Sequence, residues 1–326
     1  MIRVCTGSRL HFGLFALPTA CAGDTTLPRR RFGGVGMMSG WPGIELTAEY
    51  ALTWRCEGPL AERALAFARK YCDAVGIQEA FHIKILRAAP EHAGLGTGTQ
   101  LGLGIAYALA ELTRQPVFDP PLVARQLGRG ARSALGVHGF HLGGFLIEAG
   151  KVSDDGISTR VAWERPPEHW QILLITPREL IGMHGRHEIE AFAQLAQQSR
   201  DESSTDVMCR LALLGMLPAI LEKDLPAFGA ALYEYNRRAG EMFSSVQGGI
   251  YAHPRIEAII KTVRGAGVTG VGQSSWGPTV FAITDEERGA EVKNRLIQAG
   301  LATAAEMALT PALCTGTSRE MQKSHE

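Results

Sequence analysis

At 326 residues, with 33 Lys+Arg balanced by 33 Asp+Glu, the chain has the length of one large domain or two modest ones and no net charge. That balance excludes the acidic-tail class and removes the simplest case for a nucleic-acid-coating or polybasic membrane-surface protein. With 45% hydrophobic and 20% charged residues the composition is that of a globular fold with a real core, and 38 glycines, against a usual share of about 7%, imply many tight backbone turns.

The opening Met1-Ile2-Arg3-Val4-Cys5 shows no basic stretch followed by an apolar run, and no segment reaches the roughly 18 uninterrupted apolar residues of a membrane span. The expectation is a cytoplasmic protein with no membrane and no nucleic-acid partner. Gly43 to Leu52 and Ala80 to Arg87 read as strands, the second alternating through Phe81-His82-Ile83-Lys84-Ile85. Between them Leu60 to Val75 carries apolar residues every three or four positions and stops at Gly76, which predicts a helix. Thr97 to Leu112 and Leu122 to Leu127 are further helices, and Phe145 to Glu148 with Gly156 to Trp163 form a hairpin around Ala149-Gly150-Lys151.

Past Pro166-Pro167 comes a buried strand, Trp170 to Thr176, then helices at Arg186 to Gln198, Thr205 to Leu221, Leu225 to Ala239 and Pro254 to Arg264. The tail reads β-β-α-β through Val268 to Val271, Thr279 to Thr284, Glu286 to Ala299 and Leu301 to Leu309, the ending of a ferredoxin-like unit. The fold class expected is α+β in two domains, residues 1–165 and 166–326, divided at the proline-rich linker near Arg165. Six cysteines (Cys5, Cys21, Cys56, Cys72, Cys209, Cys314), with no C-x-x-C pair, read as buried thiols. Leu211, Leu214 and Met216 to Leu221 read as core or dimer surface.

Pro90-Glu91-His92-Ala93-Gly94-Leu95-Gly96-Thr97-Gly98-Thr99-Gln100 follows a strand and opens a helix. Glycines at 94, 96 and 98 let successive amides turn toward one point, Thr97 and Thr99 add hydroxyls, and the helix N-terminus adds unpaired N–H groups, so the stretch is suited to phosphate. It lacks the Gly-Lys-Ser/Thr of a P-loop and the spacing of a dinucleotide fingerprint. Val152 to Thr159, the only echo of a diphosphate loop of the common phosphoribosyltransferases, reads as a solvated turn. His138-x-x-His141 and His184-x-x-His187-Glu188 invite a metal reading but lack the spacing of a zinc helix.

The chain resembles the GHMP kinase superfamily, whose P-x-x-x-G-L-G-S-S motif matches Pro90 to Gly98 and whose later glycine motif matches Gly270 to Pro278. Within it the chain is most similar to the β-ribofuranosylaminobenzene 5′-phosphate synthase branch. That similarity is carried by Ser8-Arg9-Leu10-His11-Phe12-Gly13-Leu14-Phe15, Gly94 to Leu101, Gly143-Gly144-Phe145 and Gly272 to Pro278. The resemblance implies phosphoribosyl transfer from phosphoribosyl pyrophosphate to 4-aminobenzoate or 4-hydroxybenzoate, with loss of CO2 and pyrophosphate, in tetrahydromethanopterin biosynthesis. Mg2+ is the implied cofactor, its ligands unassigned; a homodimer is the expected assembly.

Where superfamily kinases place an aspartate before a Gly-Gly pair, this chain has Leu135-Gly136-Val137-His138, and the second serine of G-L-G-S-S is Gly98. Both departures count against ATP-dependent phosphorylation, which stays open as an alternative beside a non-catalytic phosphate-ligand sensor. The expected catalytic residues are Arg9, His11, His138 and Glu188, the last at a position where the branch tends to keep Gly and Glu. The expected phosphate- and substrate-binding residues are Ser8, Gly94, Leu95, Gly96, Thr97, Gly98, Thr99, Gln100, Arg132, Gly272, Gln273, Ser274, Ser275 and Trp276. Arg9, Arg132 and Arg129 supply positive charge, and Trp276 is a candidate for stacking on the aromatic acceptor.

Overall fold

Apolar alternation and three-to-four periodicity become strands and helices largely where the sequence places them. The computed structural model describes residues 1–17, 30–197 and 203–321; Cys21 and the predicted helix end at Gln198 lie outside the described residues. In chain order the first half holds β1 (Ile2–Cys5), β2 (Ser8–Ala16), β3 (Phe32–Ser39), β4 (Ile44–Ala51), β5 (Arg55–Glu57), α1 (Ala61–Val75), β6 (Ala80–Ala88), α2 (Thr97–Leu112), α3 (Pro120–Gln126), α4 (Leu135–Leu142), β7 (Phe145–Glu148) and β8 (Arg160–Glu164). The second holds β9 (Gln171–Ile175), α5 (Gly185–Ala196), α6 (Ser203–Arg210), a π-helical segment (Leu211–Met216), α7 (Leu217–Leu221), α8 (Leu225–Gln247), α9 (Pro254–Gly265), β10 (Gly270–Gln273), β11 (Val280–Thr284), α10 (Glu286–Gln298), β12 (Met307–Pro311) and β13 (Ser318–Met321).

The strands form three sheets, ordered β13-β1-β4-β6-β5, β2-β3-β7-β8 and β10-β11-β9-β12. The third is antiparallel throughout, and numbering its strands along the chain gives the 4-1-3-2 order of a ferredoxin-like unit, with α9 and α10 packed on it. α1 and α2 cover the first sheet around Leu46, Ile83, Leu101 and Ile105. A central core joins the two halves of the chain: Leu10, Phe12 and Phe145 pack with Phe228, Tyr235 and Phe281. Phe12 stacks on Phe281 with ring centroids 4.9 Å apart. The end of the chain also returns to the start, since β13 pairs with β1.

Several boundaries move for local reasons. The predicted strand at Leu301 to Leu309 begins only at Met307, because Ala304–Glu306 form a 3-10 turn closed by a Thr303/Glu306 capping box. α8 runs past Ala239 to Gln247 and ends at Gly248 in the left-handed conformation. The predicted Thr205 to Leu221 helix is one apolar stretch with a π-helical middle. Ser204–Leu221 is long and apolar enough to cross a membrane by composition alone, and one face of it, Met208, Ala212, Met216 and Ile220, is buried in the central core. Leu213, Leu214 and Leu221 face outward from it.

Candidate active site

The link from β6 to α2 bends through His92 (φ 55°), Gly94 (φ 76°) and Gly96 (φ 72°), all left-handed. Gly94 admits nothing larger, because a Cβ there would overlap the Ser274 carbonyl oxygen. Ser274 Oγ donates to Gly94 O at 2.7 Å and accepts the His11 N–H at 3.0 Å. The Ser275 N–H donates to His11 O at 3.1 Å, and the Arg9 N–H to Leu95 O at 2.9 Å. The three glycine-bearing motifs, far apart in sequence, thus close on one another. Ser274→Ala removes two bonds inside a fully buried junction, and we expect a loss of about 1–3 kcal/mol, read as a lower urea midpoint; an unchanged midpoint contradicts this role.

Gly96 is the N-cap of α2, and no side chain caps the helix's first turn, which leaves its start suited to an anion. A cavity of about 370 Å³ opens beside it. Its polar lining comes from Arg9, His11, Thr99, Arg129, Arg132, Glu188, Gln273 and Ser275, and its aromatic lining from Phe192, Phe243 and Trp276. Burial lowers the Arg9 pKa to about 10, opposed chiefly by the Glu148 carboxylate, so Arg9 stays cationic at neutral pH; its Nη1 is buried without a hydrogen-bond partner. Burial, then Arg9, holds His11 well below the ordinary histidine range. Its Nδ1 accepts the Gly13 N–H at 3.1 Å, so the neutral ring carries its proton on Nε2 and offers a donor rather than a base.

Arg132 is held by Glu188 at 2.6 Å and lies over the Phe192 ring with its guanidinium carbon 4.4 Å from the centroid. Glu188 also accepts the Trp276 indole N–H at 3.1 Å. Phe243 and Phe192 meet Trp276 edge-on at 4.7 and 5.7 Å, so the indole is part of a packed aromatic wall and only 9% exposed. Glu188 thereby orients both a cation and a ring, a geometry that α5 supplies.

Other expected site residues stand behind this surface. Ser8 Oγ accepts the Gly43 N–H, Thr97 Oγ1 donates to Pro90 O at 2.8 Å, and the Gln100 amide donates to Gly136 O at 2.7 Å. Leu95 is buried in the central core, and Gly272 is packed against the Asn236 side chain. His138 is not brought to the cavity: its Nε2 lies 2.8 Å from Ser158 O, and burial lowers its pKa. His184 stacks on His92, centroids 3.6 Å apart, rather than pairing with His187. Arg63, Asn236, Phe192 and Phe243 were not singled out by the sequence. They sit on ordinary helical patterns, and only the fold brings Asn236, Phe192 and Phe243 to the cavity lining and Arg63 against Gly98.

The described residues do not by themselves gather a ligand set for Mg2+. Among the described residues no group of three or more His, Cys, Asp or Glu is placed to hold a metal ion, and Glu188, the carboxylate in the cavity lining, is already engaged by Arg132 and Trp276.

Residues 216–302 match the family model for the C-terminal part of GHMP kinases. A β-ribofuranosylphenol 5′-phosphate synthase of Methanothermobacter thermautotrophicus is 32% identical over 307 residues, covering 87% of this chain and 89% of that protein. The chain belongs to this synthase family of the GHMP kinase superfamily. A second synthase of that name, from Archaeoglobus fulgidus, is 30% identical over 89% of this chain and 90% of its own length. Among solved structures, homoserine kinase from Cytophaga hutchinsonii superposes with a TM-score of 0.71 at 15% identity, covering 98% of this chain and 97% of its own. Mevalonate diphosphate decarboxylase from Staphylococcus aureus gives 0.64 at 14% identity, covering 98% and 99%. These two share the fold, which in this chain carries the motif residues gathered around Gly94 and Ser274.

Proposed function

We propose that the protein transfers the phosphoribosyl group of phosphoribosyl pyrophosphate to the carboxyl-bearing ring carbon of 4-aminobenzoate or 4-hydroxybenzoate, releasing CO2 and pyrophosphate, as a cytoplasmic homodimer in tetrahydromethanopterin biosynthesis. The observation that carries this reading is one cavity with two chemistries. Its lining joins cationic side chains and an uncapped helix start, fit for a multiply charged donor, to an aromatic wall fit for a benzoate ring. Arg9 and Arg132 balance phosphate and carboxylate charge, His11 donates from Nε2, and Glu188 positions Arg132 and Trp276. Loss of pyrophosphate from the anomeric carbon develops oxocarbenium character and needs stabilised leaving-group charge rather than a base. Divalent metal enters, on this reading, bound to the diphosphate substrate. The division into domains 1–165 and 166–326 is part of the same proposal, supported by the ferredoxin-like sheet that begins with β9.

The test incubates protein with Mg2+, phosphoribosyl pyrophosphate and carboxyl-labelled 4-aminobenzoate or 4-hydroxybenzoate. Donor-dependent release of labelled CO2 is the expected result. Turnover of ATP with a small alcohol and no CO2 would replace the transferase with a kinase.

A further inference from the structure

Gly98 has an ordinary helical backbone, so no φ value requires glycine there. Its neighbours do. A Cβ at 98 would overlap Arg63 Nη2 and lie 3.0 Å from that guanidinium's carbon and 3.4 Å from Arg129 Nη2. Arg63 reaches this place from α1, anchored by an ion pair to Glu91. Arg129 comes from the segment before α4, with Nε 3.4 Å from Thr99 Oγ1. Two guanidinium groups therefore occupy the first turn of α2, where the helix start is already electropositive and uncapped. Burial first, and then the nearby Arg63 charge, lowers the Arg129 pKa, with Glu188 opposing. Beside them the buried Arg9 Nη1 lacks a hydrogen-bond partner. Assembled at a cost and left short of negative charge, the cluster is built for a polyanion.

We propose that Arg63 and Arg129 form the seat of the donor's diphosphate and neutralise the charge that builds on it as pyrophosphate leaves. This rests on the transferase reading and deepens it by placing the diphosphate, not the 5′-phosphate, on the turn at Gly96–Thr99. In the transfer, the bond from the anomeric carbon to the diphosphate oxygen breaks and its electron pair leaves on pyrophosphate. A ring electron pair forms the new carbon–carbon bond. The pair of the ring–carboxylate bond then returns to the ring as CO2 departs. No proton is gained or lost, and one negative charge passes from the benzoate carboxylate to pyrophosphate. The chain must meet that added charge beside the leaving group, and guanidinium groups do so bidentately. Gly98 is then the residue that leaves room for Arg63.

The test measures binding of inorganic pyrophosphate by calorimetry, in EDTA and again with Mg2+, to Arg63→Gln, Arg129→Gln and Gly98→Ser proteins whose urea midpoints match wild type. Each is expected to bind pyrophosphate at least about tenfold more weakly in both media, and to lose about 100-fold in kcat/KM for phosphoribosyl pyrophosphate while KM for the benzoate changes less than about threefold. Arg295→Gln, on the outer face of α10, serves as the unchanged control. Wild-type pyrophosphate affinity in the Arg63 and Arg129 variants would overturn the proposal even if wild-type protein releases CO2. Failure of wild-type protein to release CO2 would instead remove the transferase reading, with the binding data still deciding whether the arginine pair holds pyrophosphate.

Discussion

Arg9→Gln is expected to lower kcat/KM for phosphoribosyl pyrophosphate by about 10³-fold, which corresponds to about 4 kcal/mol of lost transition-state stabilisation. The expectation follows from where the charge lies. Arg9 lines the cavity, its backbone N–H is fixed by Leu95 O, and its Nη1 is buried with no hydrogen-bond partner among the described residues. A cation in that state is stabilised by a bound anion more than a surface arginine would be, because water does not compete for it. Arg9→Lys keeps a charge but loses the planar fork, so its activity should fall between the two. A Gln variant within about threefold of wild type would show that Arg9 serves the fold alone.

The same substitution makes a second prediction about pH, through Glu148. This carboxyl is fully buried on β7, accepts the Ala134 N–H at 2.7 Å, and is pushed up to about 7 by burial, which outweighs that bond and the opposing pull of Arg9. Because the folded state holds the proton to higher pH than the unfolded state, Glu148's contribution to stability is complete below about 4.5 and declines as pH rises toward 7, by about 3 kcal/mol in all. Removing Arg9 takes away a charge that favours the carboxylate, so the decline should continue to higher pH. Urea midpoints for Arg9→Gln should therefore lie near wild type at pH 5.5 and well below it at pH 9. The buried acid can take up a proton, which keeps the variant folded at the lower pH and makes its activity loss interpretable.

Helices with clean periodicity and a marked end were legible in the sequence: α1 stops at Gly76, and α2 spans the predicted residues. β2 and β3 were not, although they carry Arg9 and His11. β2 is largely buried along its length and β3 contains three glycines, so neither shows the alternation that announces a half-buried strand. α4, with two glycines and two histidines in eight residues, is helical because the neighbouring α2, α3 and β7 hold it, not because of local propensity. The site was legible as motifs but not as roles. The glycine motifs marked where Gly94 and Ser274 would meet, yet a motif does not say which residues face a ligand and which only hold the junction. Thr97, Gln100 and Gly272 turned out to face inward, while Arg63 is recognisable only once Gly98 is seen to make room for it.

Asn236 gives the largest stability effect we expect. Buried on α8, it donates from Nδ2 to Phe12 O at 2.7 Å and Gln273 O at 2.9 Å, and accepts the Gln273 N–H at Oδ1 at 3.0 Å. One side chain thus satisfies three backbone groups and ties α8 to β2 and β10, the strands that lead Arg9, His11 and the Ser274 junction into place. Asn236→Ala leaves those three backbone groups without their side-chain partner, and should cost about 3–5 kcal/mol in urea unfolding. Gly272 explains how the amide gets so close, since a Cβ at 272 would overlap its Oδ1 and Cγ. Gly272→Ala alone should therefore cost about 1–3 kcal/mol by displacing the amide. Because both changes break the same contact, the double variant should be less destabilised than the two losses combined, by about 1–2 kcal/mol. Strict additivity would mean that Gly272 is required for something other than the approach of Asn236.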